Sequence, residues 1–494
     1  MVFEKEIFFS NKSIFIYINQ GFSARYLLRS DALRIIAKNS DQVVILSHNG
    51  DEKTFRDSFV SNGITVEKFR HSEFENYLNN ASIQNILIAL RAYVLNGRYD
   101  TRTVDDFRKI FIGQHGWTKT DGVFGWIKGL LWETTTFFLK RYNIFRKLLI
   151  YFETLFFSPS FHKDLFEKYS PDLVVVTALC GFKYNELFAR EAKKYGVPVC
   201  CVVLSWDNTS GMGMPGYVPD YVIAWTENMK KELIELNDID ENKIFVGGVA
   251  HFDSYYHNNS TLTKNQLFGQ LGLDLDKKTI FYATKSPKRF PWGPELVADL
   301  AKAISNGDIN FDTQILVRVH PLHYRSRKGK LMFQNILDEY EQVAAKYRSV
   351  ILNIPSTVSK KMDFDLSDGE TKLVSSILKH SDVMLNMFST MAIEAAIFDL
   401  PTINVCIRDR CRADFGRSRQ DIMVDYVQTH NQRIIQTGGV KTVFTMEDLY
   451  SAVNDYLENP ASDSSGRKRI VENEAGPFRG NAGEMIGKHI LSLV

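Results

Sequence analysis

The chain has 494 residues, 44% of them hydrophobic and 24% charged. That is too long for one ordinary core, so two domains of roughly 200–250 residues each are expected. Sixty basic residues against fifty-eight acidic ones leave a formal charge of +2, which excludes a nucleic-acid partner held by a global basic field.

The first stretch, "MVFEKEIFFSNKSIFIYINQGF", carries Glu4, Lys5, Glu6 and Lys12 among its apolar residues and is not expected to be a signal peptide. "SIFIYIN" (13–19) predicts a strand, and the loop "QGFSARYLLRS" after it contains Gly21, which permits close backbone approach. A helix is expected over 31–38, then strands at "QVVILS" (42–47) and "ITVEKF" (64–69). Helical material dominates about 72–169. Inside it, 124–157 is rich in aromatic and basic residues, and Phe138, Tyr142, Phe145, Leu149, Phe152 and Phe156 fall on a 4-3-4-3-4 spacing that predicts one helix face. Two readings stay open: an interfacial helix touching a membrane surface, or a helix pair capping a core. No uncharged run reaches the ~18 residues a spanning helix needs.

"DLVVVTAL" (172–179), "PVCCVVLS" (198–205), "DYVIAW" (220–225) and "KIFVGG" (243–248) predict further strands, with helices at "NELFAREAKKYG" and "TENMKKELIEL". The polar segment 251–266 breaks the rhythm, and a domain boundary is expected there, after residue 255. The alternation then restarts with "TIFYAT" (279–284), "TQILVRV" (313–319), "SVILNI" (349–354), "DVMLNM" (382–387) and "PTINVCI" (401–407). Strand–helix alternation with β-branched strands implies parallel sheets covered on both faces. The expected fold class is α/β, two Rossmann-like doubly wound domains facing a cleft, with ligands beyond the carboxyl ends of the strands. The five cysteines (Cys180, Cys200, Cys201, Cys406, Cys411) lie mostly in apolar runs without metal-ligand spacing, as reduced thiols of a cytoplasmic protein would.

At "DVMLNMFSTMAIEAAIFDLPTINV" (382–405) a helix is expected to begin at Ser389–Thr390, offering hydroxyls and backbone N–H groups to an anion such as a diphosphate. Glu394, one turn further in, could accept hydrogen bonds from a ribose diol. The alternative is an N-capping serine and a solvent-facing glutamate. "YATKSPKRF" places Thr284, Lys285 and Ser286 after a strand, where a cation can neutralise diphosphate charge or simply sit in a turn. "LVRVHPLHYRSRKGK" supplies Arg318, His320, His323 and Arg325 after the next strand, and "SWDN" supplies Trp206, Asp207 and Asn208 in the first half. Asp207 is a candidate general base or, equally, a turn former.

The pattern "SDV…FST-MA-E-AA…P" resembles the nucleotide-binding half of GT-B glycosyltransferases, above all the surface-polysaccharide and CDP-glycerol glycerophosphotransferase branch. "RVHP" and the block "SWDN…PD…W…G…FD" (205–255) are similar to the same group. The resemblance implies an inverting, metal-independent glycosyltransferase building a cell-surface polysaccharide or glycolipid. By resemblance Ser389 and Thr390 would bind the phosphates of a nucleotide-activated donor, Glu394 the ribose, and His320 of "RVHP" would reach the phosphate or the transferring sugar. From their place at strand ends, Thr284, Lys285, Ser286 and Arg318 are further donor-binding candidates and Asp207, with His320, a catalytic candidate. It implies an N-terminal acceptor domain (1–255), a donor domain (256–470) and a segment (471–494) crossing back to the first domain, with Arg479 and Asn481 near the cleft. His251 and Asp253 would be hinge or cleft residues. The donor enters as a substrate and no cofactor is expected; the acceptor is a glycan, lipid-linked or free, met at the inner face of a membrane. Rival expectations are a nucleotide-sugar 2-epimerase of the same fold, a CDP-alcohol phosphotransferase, and a catalytically silent scaffold. Neither a P-loop nor a dinucleotide fingerprint is present, and "DFD" at Asp363–Asp365 reads as surface rather than metal site.

Overall fold

A computed structural model describes residues 12–257, 261–327, 330–355, 367–407 and 421–494. Cys411 and the Asp363–Asp365 run lie outside the described residues. The chain forms two compact units, Met1–Asp253 with Gly476–Val494, and Ser254–Ala475.

The first unit is built on seven strands: β1 (Ser13–Ile18), β2 (Gln42–Ser47), β3 (Ile64–Lys68), β4 (Leu173–Val176), β5 (Val199–Val202), β6 (Tyr221–Ala224) and β7 (Ile244–Val246). Their order is β3-β2-β1-β4-β5-β6-β7, all parallel. Parallel strands covered by helices on both faces must be apolar throughout, which is why β1, β4 and β5 are buried at every position. Strand addition reverses direction between β1 and β4, so the loops after these two strands flank a topological switch point. Thr177 Oγ1 donates to Ser23 Oγ at 3.1 Å across that point.

Helix α1 (Asp31–Lys38) follows β1 and is capped by Ser30, whose Oγ accepts from the Ala32 N–H at 3.3 Å. The insertion between β3 and β4 contains the helices α2 (Gly122–Arg141) and α3 (Asn143–Phe156). Tyr142 has extended backbone (φ −125°, ψ 117°) and separates them, so the expected single face from Phe138 to Phe156 is split over two helices. The hairpin is fastened by charge. Arg146 pairs with Asp238 at 2.5 Å, and Glu153 pairs with Arg91 at 2.5 Å and accepts from Gln84 Nε2 at 2.6 Å. Arg91 also reaches Glu186 at 2.7 Å.

In the second unit β8 (Lys278–Ala283), β9 (Thr313–Arg318), β12 (Val350–Asn353), β13 (Val383–Asn386), β14 (Thr402–Val405) and β15 (Val440–Val443) form a parallel sheet ordered β12-β9-β8-β13-β14-β15. A short antiparallel pair, β10 (Ser326–Arg327) and β11 (Lys330–Leu331), stands apart. The pleat sends Ile280 and Tyr282 to a core with Leu296, Leu300 and Val453, and Phe281 to the opposite core with Phe268 and Ile377. Here the switch point lies between β8 and β13, paired in register from Val383–Ile280 to Leu385–Tyr282. Helix α4 (Met391–Ile397) follows β13.

The last helix, α5 (Ala482–Leu491), belongs to the first unit and packs on α1. A Cβ at Gly487 would stand 2.9 Å from the Ala32 carbonyl oxygen, so only glycine allows the approach. Asp253 holds the start of α5, its carboxylate accepting from the N–H groups of Ala482 (2.9 Å) and Gly483 (2.7 Å). A carboxylate there satisfies two orphan donors and complements the helix dipole. Asp253→Ala should therefore cost about 1–2 kcal/mol in denaturant unfolding; an unchanged midpoint would remove this capping role. His251 is likewise a packing residue, buried against Phe22, Tyr26, Trp225 and Phe252, and burial holds its imidazole well below the usual value, with Arg25 adding to the effect. Both residues, expected at a hinge or cleft, are engaged here in packing and capping within the first unit.

Candidate functional site

The β8 and β13 loops meet at the switch point of the second unit. Asn386 closes β13 and is buried; its Nδ2 donates to Asn404 Oδ1 at 2.8 Å, while its Oδ1 accepts from the Ser389 hydroxyl at 2.6 Å. This pins the turn that Phe388 makes in the left-handed region (φ +56°). A bulky residue there costs on the order of 1–3 kcal/mol, and such outliers gather at functional sites. Ser389 and Thr390 are half-buried at the turn's end. Helix α4 begins at Met391, later than expected, with Thr390 as its N-cap and no side-chain capping bond. Seven residues give a weak dipole, so the expected anion site cannot rest on the helix end alone.

Glu394 is buried among Ala392, Ile393, Ala395 and Ala396, which excludes the solvent-facing alternative. Its Oε2 accepts a hydrogen bond from the Tyr255 hydroxyl, its one hydrogen-bond partner among the described residues.

Lys285, after β8, donates to the Met387 carbonyl at 3.0 Å and is ion-paired with Asp425. It is not the solvated lysine of a surface turn, since it is engaged by Asp425. Burial pulls its ammonium below the usual value, while Asp425 opposes that shift. Arg289 also approaches Asp425, at 3.5 Å. Ser286 is half-buried, and its carbonyl accepts from the Arg289 and Phe290 N–H groups, each at 3.0 Å.

Two expected donor residues are engaged by the scaffold. The Arg318 guanidinium is buried in an ion pair with Glu370 at 2.6 Å and a hydrogen bond to Asn353, facing β12 and the helix Asp368–His380. The Thr284 hydroxyl is buried and accepts from the His320 backbone N–H at 2.8 Å, bracing the loop after β9. That brace sets His320. Its Nδ1 accepts from the Leu322 N–H at 3.2 Å, which puts the proton of the neutral ring on Nε2. Burial lowers its pKa to about 4, helped by His323 and Lys285, so the ring is a neutral donor at physiological pH.

In the first unit Asp207 is half-buried at the start of the short helix Asn208–Gly211 after β5, with Asn208 Nδ2 3.5 Å from its Oδ1. Beside it in sequence, Met212 and Met214 line a cavity of about 230 Å³ with Gly181, Lys183, Glu186 and Arg91, next to the loop that follows β4. Arg479 and Asn481 are both exposed, Arg479 Nε donating to the Gly476 carbonyl at 3.2 Å. Among the described residues no group of histidine, cysteine, aspartate and glutamate side chains could hold a metal ion.

Residues 211–407 match the model of the CDP-Glycerol:Poly(glycerophosphate) glycerophosphotransferase family. No curated protein matches the chain. Among solved structures, a Listeria monocytogenes protein described as a UDP-N-acetylglucosamine 2-epimerase is similar at a TM-score of 0.50 and 10% identity, covering 98% of this chain and 96% of its own. Another UDP-N-acetylglucosamine 2-epimerase gives 0.50 at 12% identity over 98% and 95%. The wall teichoic acid polymerase TagF, soaked with CDPG, gives 0.46 at 14% identity over 97% and 88%. The chain has the GT-B fold.

In this GT-B chain the residues that sequence reasoning missed are Asp425, Asn386, Phe388 and Tyr255. Asn386 left a usable signal, since asparagine is depleted from strand ends buried in a sheet. Asp425 left none, standing in a short helix, Ile422–Tyr426, with no motif around it.

Proposed function

We propose that the chain is a transferase that takes a sugar or an alcohol phosphate from a nucleotide-activated donor and passes it to a surface polysaccharide or glycolipid. The observation that carries this reading is the glycerophosphotransferase match over 211–407, a span that includes the β8, β9 and β13 loops and Glu394. In this reading the donor diphosphate lies against Ser286, Ser389 and Thr390 with Lys285 behind them. Glu394 takes the ribose, and the His320 Nε2–H donates to a phosphate oxygen. Asp207 is the candidate base for the acceptor hydroxyl. Transfer proceeds with inversion and without a metal, and the acceptor is lipid-linked and met at the cytoplasmic face of a membrane.

The experiment is thermal unfolding with UDP, CDP, GDP and CMP. A donor nucleotide at about 30–1,000 times its Kd should add roughly 2–4 kcal/mol of stability. Glu394→Gln, which preserves shape, should unfold like the parent without ligand and lose most of that gain. A full gain in the variant would remove the ribose assignment, and no gain with any nucleotide would favour the silent scaffold. The 2-epimerase alternative is favoured by the fold likeness to two such enzymes. It predicts turnover of UDP-N-acetylglucosamine with no acceptor present.

A further inference from the structure

Helix α3 is inside out. Its buried stripe is Arg146, Ile150 and Glu153, while Ile144, Leu148, Tyr151, Phe152, Leu155 and Phe156 are exposed. Helix α2 buries only Gly129, Trp132, Thr136 and Leu139, leaving Phe124 84% and Leu131 63% exposed. Of the twenty-seven large apolar side chains exposed among the described residues, sixteen stand on this one hairpin, from Val123 to Phe156. Single exposed apolar residues are ordinary, but a contiguous face of this size marks a surface that is covered in use.

The charges indicate what covers it. The two acidic residues of the helices are paired with protein partners: Glu153 is buried against Arg91, and Glu133, half-exposed, reaches Arg108 at 3.3 Å. Arg146 and Lys140 are paired with Asp238 and Asp105. The charged residues left exposed on the hairpin are Lys128, Arg141 and Lys147, all basic. An apolar, aromatic face carrying only positive charge is complementary to an anionic lipid surface, where acyl chains receive the side chains and headgroups meet the lysines. Among the described residues no helix is long and apolar enough to cross a membrane.

We propose that α2–α3 is a membrane-docking hairpin selective for anionic lipid. The ion pairs of Arg146 and Glu153 are what allow the inversion, since they satisfy the inward face of α3 with charge and free its apolar residues to point outward. This goes beyond the donor chemistry and does not rest on it: a chain that binds vesicles yet ignores every nucleotide would keep this inference and sink the transferase reading.

The test is co-sedimentation of the full chain with phosphatidylcholine vesicles, with and without phosphatidylglycerol, at low and high salt. Binding is expected with phosphatidylglycerol, weakening with salt. Replacing Lys128, Arg141 and Lys147 together by glutamine should weaken it about 100-fold, taking each charge at the surface as about 1 kcal/mol. Leu131→Ser with Tyr151→Ser and Phe156→Ser should abolish it with unchanged unfolding, because all three side chains are exposed. Failure to sediment with any vesicle would overturn the proposal. So would equal binding to neutral vesicles, or a dimer in solution that the serine variant dissolves, which would make a second copy the occupant.

Discussion

Glu153→Ala is expected to lower the stability of the first unit by about 3–5 kcal/mol, the cost of breaking a buried ion pair by removing one partner. Glu153 is fully buried and faces Arg91 at 2.5 Å, Arg190 at 3.6 Å and the Gln84 amide. Without it Arg91 keeps Glu186, whereas Arg190 is left with only the charge of Glu186 nearby: among the described residues its three guanidinium nitrogens are buried without a hydrogen-bond partner, and burial already lowers its pKa. The remaining charge must be hydrated or expelled, and either outcome opens the contact between α3 and the helices Ser82–Ala92 and Lys183–Lys194. Circular dichroism during urea unfolding reads the loss. Removing Arg190 as well, in Glu153→Leu with Arg190→Leu, should recover part of it, because apolar replacements of a buried pair are often tolerated. A loss under about 1 kcal/mol in the single variant would mean that the cluster is hydrated and α3 is held by Ile150 and Arg146 alone.

The same cluster shows why sequence reading reached one level and stopped. Strands such as "VVILS" and "LVVV" are recognisable because a sheet covered on both faces admits only apolar residues, and no distant partner is needed to see it. The hairpin is different. Periodicity marked an aromatic face over 138–156, but it cannot say whether a face turns in or out. That was decided by Arg91 and Asp238, each far along the chain from its partner on α3. The break at Tyr142 carries no proline or glycine to announce it. At the β8–β13 switch point the loops were visible as strand ends, whereas their pairings were not. Lys285 finds Asp425 140 residues later, Arg318 finds Glu370 52 residues later, and Glu394 is met by Tyr255 from 139 residues before. Residue type at a strand end suggests a ligand; only the partner shows whether the group is already engaged.

His320 is the candidate catalytic residue of the β9 loop, and its replacement carries the largest expected effect on rate. We propose that His320→Asn lowers transfer on the order of 100-fold or more, with donor affinity changed only a few-fold, as expected for a donor aimed at charge that grows on the departing phosphate. Because Nδ1 already accepts from the Leu322 N–H, the neutral ring offers Nε2–H and cannot act as the base. With a pKa near 4 the ring stays neutral from pH 5.5 to 8, so the rate should show no break near 6.5 that disappears in the variant. Such a break would mean that the imidazolium is the working form. The stability consequence has a definite sign. His323 is buried, with its Nδ1–H on the His320 carbonyl, and burial lowers its pKa to about 4 as well. A folded pKa below the unfolded 6.5 stabilises the fold fully above pH 6.5, and that contribution is lost as pH falls through 4. For the fully buried His323 the loss is about 3 kcal/mol. His323→Gln should therefore flatten the acid limb of the unfolding curve between those pH values while leaving the transfer rate near that of the parent. His320→Asn should do the reverse to the rate, which separates the ring that acts from the ring that only supports it.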